Sequence, residues 1–148
     1  MAILVTGGTG YIGSHTTVEL LNRGEKVIIV DNLVNSKMCV LDRIEKITGK
    51  RPEFIKCDLL DADKLDEVFS LYPEIDSVIH FAGLKAVGES VSLPIKYYHN
   101  NLTGTFNLLE SMVKHGVNRI VFSSSATVYG LPKSVPISED FPLSTTNP

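Results

Sequence analysis

Cysteine is scarce in this 148-residue chain, and the two present, Cys39 and Cys57, form neither a CxxC nor a metal-ligand spacing. That excludes a disulfide framework or a zinc ribbon and leaves both thiols as structural filler, with no metal site expected. An excess of one charge is also lacking. A net charge of −3 gives no bulk attraction to phosphate backbones or anionic lipid, so nucleic acid and membrane surfaces are poor partners. No apolar run approaches the ~20 residues that span a bilayer. The opening "MAILVTGGTG" enters a strand at once and lacks the charged and apolar regions of a signal peptide, so a cytoplasmic, reducing location is expected. No repeat, low-complexity tract or linker interrupts the chain, and its length suits one domain with one sizeable core.

What is present is an alternation. Five short, β-branched apolar runs recur: "AILVT" (2–6), "KVIIVD" (26–31), "EFIKCD" (53–58), "SVIHFAG" (77–83) and "RIVFSSS" (119–125). Continuous rather than alternating hydrophobicity predicts strands covered on both faces. Helical spacing lies between them. Ile95, Tyr98, Leu102, Phe106, Leu109 and Val113 step by three or four along one face of a helix over 94–115. Pro94 suits its first turn and Gly116 its C-cap. Leu65, Val68, Phe69 and Tyr72 mark a shorter helix, and Gly24 ends the first one. Strands alternating with helices imply right-handed crossovers, and hence an α/β doubly wound parallel sheet of Rossmann type with helices on both faces. Such a sheet binds its ligand at the carboxyl ends of the strands, between strands one and four.

The chemistry-bearing stretches fall at those ends. "LVTGGTGYIGSH" places Gly7, Gly8, Gly10 and Gly13 directly between the first strand and the first helix. In that context the glycines allow a tight turn and close backbone approach to a pyrophosphate, with the amides near Tyr11 and Ile12 facing the anion. A plain strand–helix turn rarely needs four glycines. Asp31 closes the second strand, where a carboxylate accepts from adenosine ribose hydroxyls and repels a 2′-phosphate, favouring NAD over NADP. The alternative is a helix cap, a role that Asn32, Asn35 and Ser36 also offer. Asp58 and Leu59 close the third strand, where they can flank an adenine.

"TGGTGYIGSH" resembles the opening of the extended short-chain dehydrogenase/reductases, most of which act on nucleotide sugars. "HFAGLKAVGES" (80–90), "NNLTGTFNLL" and "SSSATVYG" narrow the resemblance to the UDP-glucose 4-epimerases, over the whole chain. The resemblance implies NAD contacts from Gly7, Gly10, Tyr11, Ile12 and Gly13, and from Asp31, Asn32, Leu33, Val34, Asn35 and Ser36. It adds Asp58, Leu59, Phe81, Ala82, Gly83, Leu84, Lys85 and Asn100. For Lys85 the alternative is a surface pair with Glu89, and for Asn100 a solvent-facing position. His80, His99 and His115 share no metal geometry and are read as structural; His15 is expected to pack in the first helix.

By the same resemblance Ser125 matches the family's catalytic serine, and Thr127 touches the sugar. In the family this serine works with a tyrosine and a lysine, oxidising UDP-glucose or UDP-galactose at C4 and reducing the 4-keto intermediate on its other face. "YGLPK", Tyr129 to Lys133, mimics the pair, but Gly130 and Pro132 argue against the helix that would put both side chains on one face. The family's tyrosine falls in a register just past Pro148. The chain is therefore expected to be an amino-terminal NAD-binding portion, 1–148, without the later strands and the carboxyl-terminal sugar domain. It is expected to be inactive alone, incompletely covered along the 94–115 helix, and altered in association; the complete protein is expected to be a homodimer. A dehydratase, decarboxylase or reductase of nucleotide sugars, and a non-catalytic NAD-binding module, are the competing readings.

Overall fold

The continuous apolar runs become strands, the first coextensive with its run and the others shorter than theirs. In the computed structural model, which describes residues 1–148, β1 spans Ala2–Thr6, β2 Val27–Asp31, β3 Glu53–Lys56, β4 Ile75–His80 and β5 Ile120–Phe122. The helices are α1 (Tyr11–Asn22), α2 (Cys39–Thr48), α3 (Ala62–Leu71), α4 (Val87–Ser92), α5 (Pro94–Tyr98) and α6 (Gly104–Lys114). All strands pair in parallel, in the order β3-β2-β1-β4-β5. β1 is central, and the reversal of strand order falls between β1 and β4, the position at which such sheets bind ligands.

Alternation along the strands sorts the core onto the two faces. Leu4, Ile28, Val30 and Val78 pack with Leu65, Val68 and Phe69 of α3 and with Leu108 and Met112 of α6. Val5, Val27 and Ile29 point the other way, into Leu21 of α1 and Leu41 and Ile44 of α2. Burying each such side chain stabilises the fold by roughly 1.5–3 kcal/mol, an upper bound because the unfolded chain is itself partly collapsed. No helix is long and apolar enough to cross a membrane.

The helix predicted over 94–115 forms as one path, α5 and α6 joined by a π turn at His99–Thr103. Pro94 is at its start and Gly116 follows it with φ +71°, as expected. The apolar stripe does not face the sheet. Exposure along it runs from 38% at Leu109 to 77% at Ile95 and Val113, while Tyr97, Gly104, Leu108, Ser111 and Met112 are buried instead. Gly104 explains the choice of face: a Cβ there would stand 3.1 Å from Cβ of Leu59, so the helix sits close against the residues after β3. β5 is an edge strand, and Ile120, Val121 and Phe122 are all exposed.

Candidate functional site

The turn after β1 is built by backbone. Gly7 sits at φ +68° and donates its N–H to the Val30 carbonyl at 2.8 Å. A Cβ on Gly7 would lie 2.8 Å from the Ala82 nitrogen, so any side chain would wedge β1 away from the loop after β4. Gly10 is the N-cap of α1 and offers no side-chain cap, so the first-turn amides of Tyr11 and Ile12 have no such partner. A 12-residue helix with open first-turn amides presents donors and a positive dipole end to an anion. Gly13 is buried where a Cβ would strike the Gly7 carbonyl oxygen.

Asp31 does not cap a helix: α2 begins at Cys39, with Met38 as its N-cap. Instead the buried carboxylate organises its own loop. Oδ2 accepts the Thr9 N–H at 3.1 Å, and Oδ1 accepts from Leu33 N–H at 2.8 Å and the Ser36 hydroxyl at 3.0 Å. Thr9 Oγ1 lies 2.7 Å from Ser36 Oγ, so Thr9 donates into the same chain. Leu33 is the one non-glycine residue with positive φ, +65°, held there by its bond to Asp31. Three accepted bonds leave the carboxylate about one free lone-pair direction on the cleft it lines. Asn32 Nδ2 donates to Asp58 Oδ2 at 3.0 Å, tying the ends of β2 and β3 together. Beside them the Cys57 thiol is pushed up to about 11 by burial and donates to the Asp58 carbonyl, which rules out thiolate chemistry. Cys39, by contrast, is exposed and fills no core space.

After β4 the loop Phe81–Lys85 is fastened at both ends. Phe81 N–H reaches the Thr6 carbonyl at 3.1 Å and Ala82 N–H reaches Thr6 Oγ1 at 3.4 Å. At the other end Asn101 accepts from Leu84 N–H at 2.8 Å and donates to the Leu84 carbonyl at 3.0 Å. His80 is buried between these anchors, 2.6 Å from Thr6 Oγ1 through Nδ1 and 3.1 Å from Thr105 Oγ1 through Nε2. The pairing of Lys85 with Glu89 does not form. Glu89 accepts from Lys96 at 2.8 Å and from the Tyr97 hydroxyl at 2.6 Å, because α5 brings both partners across from α4.

These parts line two adjoining cavities. The first, about 290 Å³, is lined by Gly7, Gly10, Asp31, Asn32, Val34, Asn35, Ser36, Asp58, Leu59, Asn100 and the loop residues Phe81 to Leu84. The second, about 440 Å³, shares Phe81 to Leu84 and adds Lys85, Tyr97, Ser123, Ser124, Ser125 and Thr127. Tyr11, Ile12, Gly13 and Leu33 line neither; they shape the turn and the loop behind it. Ser125 Oγ is 2.8 Å from Thr127 Oγ1 and caps the short 3-10 turn Ala126–Val128. Tyr129 and Lys133 lie in irregular chain past that turn, with Gly130 at φ +61°, so the mimic motif has no helix to unite it. His15 is exposed against the ring of Tyr11 rather than packed in the interior. Sequence reasoning missed Thr9, Asn101 and the placing of His80; each acts through partners distant in the chain.

A glycine cradle that no Cβ fits, open helix-start amides and a buried acid at the neighbouring strand end suit a dinucleotide. Residues 3–148 match the sequence model of the NAD dependent epimerase/dehydratase family. The chain is 65% identical over 148 residues to the UDP-glucose 4-epimerase of Bacillus subtilis (strain 168), covering all of this chain and 43% of that protein. It is 60% identical over 146 residues to the enzyme of that name from Dictyostelium discoideum, covering 99% of this chain and 42% of that one. Among solved structures, the UDP-glucose 4-epimerase of Bifidobacterium longum in complex with NAD+ and UDP superposes with a TM-score of 0.96 at 55% identity, over 100% of this chain and 44% of that one. The Stenotrophomonas maltophila enzyme, with bound NAD and formylated UDP-arabinopyranose, gives 0.94 at 45% identity, over 99% and 44%. The chain thus spans less than half the length of the relatives it matches. It belongs to the NAD dependent epimerase/dehydratase family.

Proposed function

We propose that residues 1–148 form the NAD-binding portion of a UDP-glucose 4-epimerase, a cytoplasmic enzyme interconverting UDP-glucose and UDP-galactose. The observation that carries this is the pair of adjoining cavities at the β1/β4 switch point, with the glycine cradle and Asp31 on one and Ser125 on the other. The turn from Gly7 through Gly10 to Tyr11, Ile12 and Gly13 holds the diphosphate. Asp31, with the loop Asn32, Leu33, Val34, Asn35 and Ser36, holds the adenosine ribose, and Asp58 and Leu59 flank the adenine. Phe81, Ala82, Gly83, Leu84, Lys85 and Asn100 line the path toward the nicotinamide end, where Lys85, unpaired by any carboxylate, supplies a cation. NAD, when bound, supplies the hydride acceptor for C4 of the sugar. Ser125 is the catalytic residue of this portion, hydrogen-bonding the reacting hydroxyl and orienting it, and Thr127 holds Ser125 and touches the sugar.

The test is titration of the purified chain with NAD and NADP by calorimetry. NAD is expected to bind, and NADP at least about tenfold more weakly, because a 2′-phosphate would meet the Asp31 carboxylate. Equal affinity for both, or none for either, would overturn the reading.

The outward stripe Ile95, Tyr98, Leu102, Phe106, Leu109 and Val113 completes it. A contiguous apolar helix face of this length favours pairing with a second copy, giving a homodimer. Sedimentation equilibrium is expected to give a concentration-dependent dimer, and Leu102→Glu with Phe106→Glu a monomer; a monomeric parent at 100 μM (about a thousand times typical tight-dimer Kd values) would exclude it.

A further inference from the structure

His80 is a buried imidazole to which no role above is given, and the hydrogen bonds around it fix every proton. Thr105 Oγ1 donates its single proton to the Asn101 carbonyl at 2.6 Å. It can therefore only accept from His80 Nε2 at 3.1 Å, which places the ring proton on Nε2. Nδ1 of the neutral ring is then an acceptor, and Thr6 Oγ1 donates to it at 2.6 Å. Thr6 Oγ1 keeps a lone pair for the Ala82 N–H at 3.4 Å. The result runs in one direction, from Ala82 through Thr6, His80 and Thr105 to Asn101, whose side-chain amide clamps Leu84 from both sides. Asn100 Nδ2 joins it by donating to Asn101 Oδ1 at 2.9 Å. The relay thus closes on both ends of the loop that forms the shared wall of the two cavities.

We propose that His80, neutral and protonated on Nε2, is a positioning residue that holds the Phe81–Lys85 loop and the π turn bearing Asn100 at the spacing the dinucleotide cleft needs; this rests on the NAD reading of that cleft. A positional error of about 1 Å at such a wall is enough to weaken a bound ligand substantially. Burial, with Lys85 nearby, keeps the ring uncharged, its pKa pulled down from 6.5 to about 4.

Imidazole ¹⁵N–¹H correlation spectra of the wild-type chain at pH 7 are expected to show the Nε2–H tautomer at His80; an Nδ1–H or charged ring would overturn the proposal. His80→Phe keeps the ring shape and removes both polar atoms. It is expected to speed amide exchange at Ala82 and Leu84 by at least about tenfold, the scale of one lost hydrogen bond, without changing exchange at Val30. NAD affinity is expected to fall about tenfold, and His80→Gln, which supplies one acceptor and one donor, to restore it to within about threefold. If His80→Phe does not fold, Thr105→Val keeps the imidazole, removes its acceptor and is expected to give the same selective exchange. Folded variants with wild-type exchange at Leu84 and wild-type NAD affinity would overturn the relay. A wild-type chain with no affinity for NAD would overturn the cofactor reading, and the exchange pattern would still decide the relay.

Discussion

Gly13→Ala is expected to destabilise the chain by at least about 3 kcal/mol and to abolish NAD binding in whatever fraction still folds. The added Cβ would overlap the Gly7 carbonyl oxygen and stand 2.9 Å from Gly8 Cα and 3.0 Å from Gly7 C. All three atoms are backbone, and the Gly7 carbonyl is already the acceptor for Gly10 N–H at 3.0 Å. Nothing there is the movable end of a side chain. Relief requires α1 to back away from the turn, which would strip Gly13, Thr17 and Leu21 of their close packing and withdraw the helix-start amides from the anion. Two other glycines calibrate the effect. Gly24 has open space around it but φ +85°, so Gly24→Ala carries only a conformational cost of about 1 kcal/mol. Gly88 lies in α4 with open space and no positive φ, so Gly88→Ala is expected to be neutral or stabilising by up to about 1 kcal/mol. Urea denaturation of the three variants gives the order; a Gly13→Ala cost no larger than that of Gly24→Ala would refute the cradle geometry.

The glycine turn was legible because its requirements are local: four glycines, a strand before and a helix after. The strands were legible locally as well: where both faces are buried the apolar run is unbroken, as in "VIIVD", while "IVF" of β5 was found by its β-favouring residues although all three are exposed. The 94–115 helix was legible in extent but not in facing. Its most regular apolar spacing marks an outward stripe, while the inward side relies on Gly104 and Ser111, small residues that carry no hydrophobic signal yet allow close approach. The helices α2 and α4 escaped sequence reading. The first, from Cys39, does carry an apolar stripe in Leu41 and Ile44 and a closing Gly49, but no capping side chain marks its start; the second buries only Ser90 and shows neither cap nor stripe. The site divides similarly. Asp31 was read as closing the second strand, and it is the last residue of β2, but its work on Thr9, Leu33 and Ser36 depends on how the loop folds back. His80 was read only as structural; what it holds was not legible, because its partners lie 74 residues before it and 25 after it.

That buried imidazole also sets the second large effect, a loss of stability in mild acid. The folded-state pKa of His80 is depressed from 6.5 to about 4, first by burial and then by Lys85. Below pH 6.5 the unfolded chain binds a proton at this position and the folded chain does not. Stability therefore falls as pH drops, by about 1.4 kcal/mol per unit, for a total of about 3 kcal/mol once pH 4 is reached. Three carboxylates act in the same direction but lower down. Asp66 is held below the ordinary carboxylate range by Lys114 and then His115, Glu74 by Lys26, and Glu89 by Lys96 and then Tyr97. Their contributions are present above the unfolded carboxylate pKa near 4 and are lost only as pH falls through it, so the window from 6.5 to 4.8 isolates the histidine. Urea unfolding at fixed protein concentration is expected to show wild type losing about 2 kcal/mol more than His80→Gln across that window. The glutamine cannot titrate, so the difference between the two curves changes by that amount toward acid whatever its offset at pH 7. Parallel curves would mean that His80 takes up its proton as readily in the folded chain as in the unfolded one, and that the ring is not sealed between Thr6 and Thr105.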